Sequence, residues 1–153
     1  MSGSVSGNPL VPQGTLNRIR THIVLASYPA LNVTSANMSR GFATFAFEGN
    51  FAAQIETATG IVTSPEPYVM GTCTVELLRT QSLAAAYLAQ VQSNVMVGTV
   101  TGYSDSVSFP PIVLNNCSIY NFDPGAFDGT KPAVRVVFRG VFTPNAAMWG
   151  LTF

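Results

Sequence analysis

Between Tyr68 and Asn94 the chain passes, without a break, from a repeat of two to a repeat of three and four. In Tyr68 to Leu78, Cys73, Val75 and Leu77 share one face, and Thr72, Thr74 and Glu76 share the other. That alternation is the signature of a strand with one buried face. Thr80 then stands as an N-cap, and Leu83, Ala84, Tyr87, Leu88, Val91 and Val95 form one apolar stripe at helical spacing. Ser82, Ala85, Ala89, Gln92 and Ser93 fall opposite, which predicts a helix over 81–92 that packs its stripe as core. No other segment carries a convincing helical repeat. A lone helix in a chain of short alternating runs predicts a mainly β fold, two packed antiparallel sheets forming a sandwich or barrel with one flanking helix.

The remaining elements follow from the same periodicities. Residues 1–14 are rich in Gly, Ser and Pro and predict an extended or mobile arm. A first strand is expected over 16–26, with Ile19, Ile23 and Leu25 on one face and Arg18, Arg20 and His22 on the other. A loop follows over 28–39. Phe42 to Phe47 and Phe51 to Thr57 read as extended segments on either side of Glu48, Gly49 and Asn50, a turn signal or a bulge, and the turn makes 42–57 a hairpin. Residues 58–67, with Gly60, Pro65 and Pro67, read as a long loop. Later strands are expected over 96–103, 112–122 and 133–142, the last with Val134, Val136 and Phe138 opposite Arg135 and Arg139. The tail, 143–153, carries Met148, Trp149, Leu151 and Phe153 and must dock on its own fold or on a neighbour, because exposed apolar area costs ~25 cal/mol per Å².

Composition says what such a domain does in company. The 153 residues, read as a single domain, are 47% hydrophobic and only 9% charged, with seven basic and seven acidic side chains cancelling. So little charge gives weak colloidal protection, and the reading it favours is a subunit whose surface is covered in an assembly. The bland alternative is a merely sticky small protein. No window approaches the ~20 apolar residues of a membrane-spanning helix. The opening MSGSVSGNP does not read as a secretory signal. Without a basic patch, sequence-specific nucleic-acid recognition is not expected either.

Groups that could carry catalysis are sparse. His22 is the only histidine and sits beside Arg18 and Arg20, where an exposed strand histidine is a better reading than a catalytic base. Cys73 and Cys117 are too few for a structural zinc site; buried free thiols are the default reading and a disulfide the alternative. Glu48, Glu56, Glu66 and Glu76 include no pair set among aromatics, as a glycosidase would need. Leu78-Arg79-Thr80 is not a phosphate-cradling loop. The expectation is a protein that is not an enzyme and takes no cofactor or metal.

The order and spacing of several strings resemble the tail tube protein of contractile-tailed bacteriophages. They are Asn8-Pro9, Gly14 to Arg18, Phe45 to Gly49, Thr59 to Tyr68, Leu77 to Gln81 with Leu83-Ala84 and Ala86-Tyr87, Ala89-Gln90, and Asn115 to Cys117. The resemblance covers nearly the whole chain and is weakest in the last ten residues. It implies a subunit that closes into hexameric rings, whose inner sheets join around a channel and whose rings stack into a tube. It further implies a tail sheath protein, a tape-measure protein, a baseplate tube initiator and a tail terminator as partners. DNA would pass non-specifically through the lumen, with no membrane insertion. The place would be the virion tail, assembled in the host bacterial cytoplasm. Type VI secretion tube proteins share this plan, and a β-sandwich receptor- or glycan-binding module is the alternative from another class.

On this reading the channel is lined by polar, small and acidic side chains, since a basic wall would bind phosphates. Candidate lumen residues are Thr44, Glu48, Gln54 and Glu56. Candidate contacts between rings or subunits are Gly60, Ile61, Val62, Pro65, Pro67, Trp149, Leu151 and Phe153.

Overall fold

The computed structural model describes residues 10–150, and among them the chain forms two antiparallel sheets and one main helix. The strands are β1 (His22–Leu25), β2 (Val33–Thr34), β3 (Met38–Glu48), β4 (Ala52–Glu56), β5 (Ile61–Pro65), β6 (Val69–Leu78), β7 (Met96–Tyr103), β8 (Ile112–Asp123) and β9 (Ala133–Phe142). The large sheet runs β2-β1-β7-β8-β9-β6-β3, and β4 and β5 pair only with each other. The mainly β class with two sheets and one principal helix is thus as expected, but the division is seven strands to two.

The large sheet curls over its own core without closing into a barrel. β7 and β3 are separated by three strands, yet a Cβ added at Gly102 of β7 would lie 2.1 Å from Cζ of Phe45 on β3. Only a glycine lets β7 and the edge strand β3 approach this closely. Inside the curl lie Cys73, Val75 and Leu77 of β6, as the alternation predicts. Val134, Val136 and Phe138 of β9, Leu114 and Cys117 of β8, Val97 and Val100 of β7, and Ile23 and Leu25 of β1 join them. The main helix α1 (Ser82–Ser93) buries Ala84 and Tyr87 there. Tyr87 donates its hydroxyl to the carbonyl of Leu31 at 2.6 Å and meets the Phe138 ring edge-on at 5.8 Å.

Several expectations need correction. The first strand is only four residues long: Arg18–Arg20 form a 3-10 turn, which leaves Ile19 80% exposed and off the Ile23–Leu25 face. Asn17, whose Oδ1 accepts from the Ile19 amide, caps that turn and stops the strand. The 28–39 loop holds two further 3-10 turns and β2. The N-cap of α1 is Gln81, not Thr80, and Gln81 spends its side chain on Asn37 and the carbonyl of Ala36. Leu88 and Val95 are exposed, so the buried stripe is narrower than the spacing suggests.

The larger correction concerns pairing. β3 does not form a hairpin with the segment after it; it pairs with β6, and β4 pairs with β5. Half of the supposed loop 58–67 is therefore strand, with Thr57 to Gly60 as the turn before it and Glu66 and Pro67 as the connection after it. No described helix is long and apolar enough to cross a membrane.

Candidate assembly surface

Three surfaces stand out. The first is the polar face of the large sheet. Thr44, Ala46 and Glu48 of β3 lie beside Thr72, Thr74 and Glu76 of β6, and beyond them come Arg135 and Arg139 of β9. Arg139 binds Glu48 through two nitrogens, and the Arg135 guanidinium lies 4.0 Å from Glu76. The Arg139 hydrogen bond holds the Glu48 carboxyl below the ordinary carboxylate range, and Glu48 in turn raises Arg139. Arg139 also lies over the Tyr120 ring at 5.5 Å. The arginines thus share a face with Thr44 and Glu48. The face is charge-compensated.

The second surface is the β4–β5 ribbon. Every residue of β4 and all of β5 except Pro65 are exposed, including Ile55, Ile61 and Val62. Its tip is tied by Thr57, whose amide and hydroxyl both donate to the Gly60 carbonyl. Its base is held by the rings of Phe47, Phe51 and Phe142, with centroids 4.5 to 6.0 Å apart. Asn145 completes the anchorage, its Nδ2 donating to the carbonyls of Phe51 at 3.1 Å and Glu66 at 2.8 Å. Asn145 thereby brackets the start of the tail to the ribbon, a link that no periodicity signals.

The third is a groove at the seam of the curl, about 480 Å³ in volume, between the start of β3 and the ends of β1 and β7. Arg18, Arg40, Phe42, Phe45, Asp105 and Phe109 are among its walls. A bulge in β3 between Met38 and Ala43 puts Phe42 at φ 52°, a costly conformation for a side chain of this size, and brings it to the groove. Sequence reading missed these residues, because a bulge breaks the alternation on which faces are assigned.

The candidate lumen residues do not come together: Thr44 and Glu48 are on the sheet face, Gln54 and Glu56 on the ribbon. Of the candidate contacts, Gly60, Ile61, Val62 and Pro65 belong to the ribbon and Pro67 follows it. Trp149 ends a short second helix, α2 (Ala146–Trp149), and is 48% exposed. Leu151 and Phe153 lie outside the described residues.

His22 is half-buried, donates from Nδ1 to the carbonyl of Arg20 at 2.6 Å, and stacks on Tyr103 at 4.3 Å. Cys73 and Cys117 are free and buried; burial pushes the Cys117 thiol up to about 11 and that of Cys73 higher still. Among the described residues no cluster of three or more His, Cys, Asp or Glu side chains could hold a metal.

No protein-family model and no curated protein matches the chain. Among solved structures it is similar to the tube-terminating cap of the anti-feeding prophage, with a TM-score of 0.46 and 11% identity. That alignment covers 92% of this chain and 99% of the other.

Proposed function

We propose that the protein is a non-enzymatic structural subunit that self-assembles, its copies closing into rings that stack as the inner tube of a contractile tail. The observation that carries self-assembly is the β4–β5 ribbon. A two-stranded ribbon has marginal stability in water at best, and this one exposes Ile55, Ile61 and Val62 from both strands. β2 and β3 add two open edges to the large sheet, and open edges invite pairing with another chain. Neighbouring copies would cover all three. The tube is the finer part of the proposal and rests on the resemblance of sequence strings given above. The charge-compensated sheet face suits a conduit, because a wall without unpaired cations offers passing phosphates no binding sites. Sheath, tape-measure, initiator and terminator proteins are the partners that this role entails.

The exposed loop aromatics Phe109 and Phe127 are features that a glycan-binding sandwich would also display. Assembly separates the two. Purified protein, concentrated and imaged by negative-stain electron microscopy with sedimentation in parallel, is expected to form rings and stacked tubes. A monomer at every concentration overturns the proposal. Closed oligomers that never stack overturn the tube.

A further inference from the structure

The ribbon tip and the seam groove have complementary chemistry. On the tip, Glu56 and Ile61 are directly opposed across the two strands and so share a face. Both are exposed, and Glu56 has no cationic partner among the described residues. The groove offers the reverse: apolar walls from Phe42, Phe45 and Phe109, and the guanidinium groups of Arg18 and Arg40. Neither of those arginines makes an ion pair among the described residues, whereas Arg135 and Arg139 both do. Asp105 is the one acid on the walls, and it accepts a hydrogen bond from the Ser104 hydroxyl at 3.2 Å. The groove therefore carries one cation in excess.

We infer that the β4–β5 tip of one copy docks in the seam groove of the next, Ile61 among the phenylalanines and Glu56 against Arg18 and Arg40. This rests on the self-assembly reading and names the contact that drives it. The tip is exposed in its own chain, so the occupant is a second copy. Tip and groove are different patches of one surface, which makes the contact heterologous; repeated, such a contact closes a ring or runs on as a filament. Its volume, about 480 Å³, is in the range that takes a few side chains. The turn is already tied by Thr57, so little conformational freedom is lost on docking.

The test is charge reversal. Glu56→Arg and Arg40→Glu are at exposed positions, so each variant is expected to fold with an unchanged circular dichroism spectrum. Each alone should raise the concentration for half-assembly, measured by sedimentation, at least ~10-fold, as facing like charges do. The double variant should recover most of that loss. As a second measurement, Ile61→Cys combined with Phe109→Cys should give a ladder of intermolecular disulfides on mild oxidation, against a quiet background because Cys73 and Cys117 are buried. Single reversals that assemble like the parent, a double variant that does not recover, or no ladder overturn the docking while leaving self-assembly intact. An Arg40→Glu defect without a Glu56→Arg defect also overturns it and assigns the groove to another segment. A parent protein that never assembles removes the self-assembly reading, and the docking with it.

Discussion

Arg139 reaches across β6 to grip Glu48 of β3, Nε to Oε2 at 2.7 Å and Nη2 to Oε1 at 3.1 Å. The strand beneath supplies Thr72, which is paired in register with both Ala46 and Arg139, and a small side chain there leaves room for the bridge. Glu76 solves a similar problem by the absence of a neighbour. A Cβ at Gly41 would stand 1.1 Å from its Oε2, so a side chain in the β3 bulge would push the Glu76 carboxylate from this place.

The bridge sets a pH dependence. The folded pKa of Glu48 is depressed, so the bridge adds stability above the ordinary carboxylate pKa of ~4.3 and loses it as pH falls through the lowered folded value. Glu48→Gln should melt below the parent at pH 7, and the gap should close in acid. Salt at about 1 M should narrow it at neutral pH, because the pair is exposed and screening is then short-ranged. Melting curves of both proteins from pH 7 to pH 2 check this; a gap that does not change with pH removes the bridge as its source.

Gly102→Ala should open the seam of the curl. Its Cβ would sit 2.1 Å from the Phe45 ring and 3.4 Å from Ile23, so Phe45 must leave its place. Overpacking of this kind costs about 1–3 kcal/mol. Urea titration should show the loss, and adding Phe45→Leu should return part of it, since residues in contact couple. Equal effects with and without Phe45→Leu would mean that the ring is not what excludes a side chain at 102.

How much of this was legible beforehand depended on whether faces alternate without interruption. β6 and β9 do, and their bounds and buried residues follow from the sequence closely: Cys73, Val75, Leu77, Val134, Val136 and Phe138 are all core. β3 does not. Its bulge at 39–42 breaks the count, and Arg40 and Phe42, which help to build the groove, could not be assigned a face. The turn signal at Gly49 and Asn50 is not followed by a β3–β4 pair: Phe47 stands in register with Gly71 of β6, and β4 takes β5 as its partner, so Phe51 meets Phe47 only through its ring. Proline misled at 58–67, where Pro65 ends an edge strand and needs no amide partner. The Asn145 bracket joins residues 79 and 94 positions apart, a distance no local pattern reports.

Tyr87, not Leu83, is where α1 is most sensitive. Leu83 is half-buried, while Tyr87 is fully enclosed and satisfies the Leu31 carbonyl. Tyr87→Phe leaves that buried carbonyl without its partner and should cost about 1–3 kcal/mol. Leu83→Ala should fall at or below the low end of the ~2–5 kcal/mol typical of a buried leucine. Denaturant unfolding of the two variants decides the order, and a larger loss for Leu83→Ala would move the anchor of the helix.

Asn145→Ala should free the ribbon without unfolding the sheet. Two hydrogen bonds to backbone carbonyls are lost, each worth about 0.5–1.5 kcal/mol net. The loss should be local, because the ribbon makes no ladder with the large sheet. Hydrogen exchange should therefore quicken across 51–66 and stay slow in β6 and β9. Uniform quickening throughout would show that the bracket stabilises the whole domain.

Trp149 is the only tryptophan, and its surroundings in the single chain make it a reporter of assembly. It is 48% exposed, beside Met148 at 68%, on a helix of four residues that ends at Gly150 in a left-handed conformation. Asn145, at the start of that helix, fixes it to the base of the ribbon, so whatever covers the ribbon base in an assembly lies close to Trp149. Emission should be red-shifted in dilute protein and move to shorter wavelength as the concentration passes the assembly threshold found by sedimentation. Asn145→Ala should blunt that shift even where assembly persists, because the indole is then no longer held at the interface. Emission already blue in the dilute monomer, or unchanged through assembly, would mean that the tail lies away from the contacts between subunits.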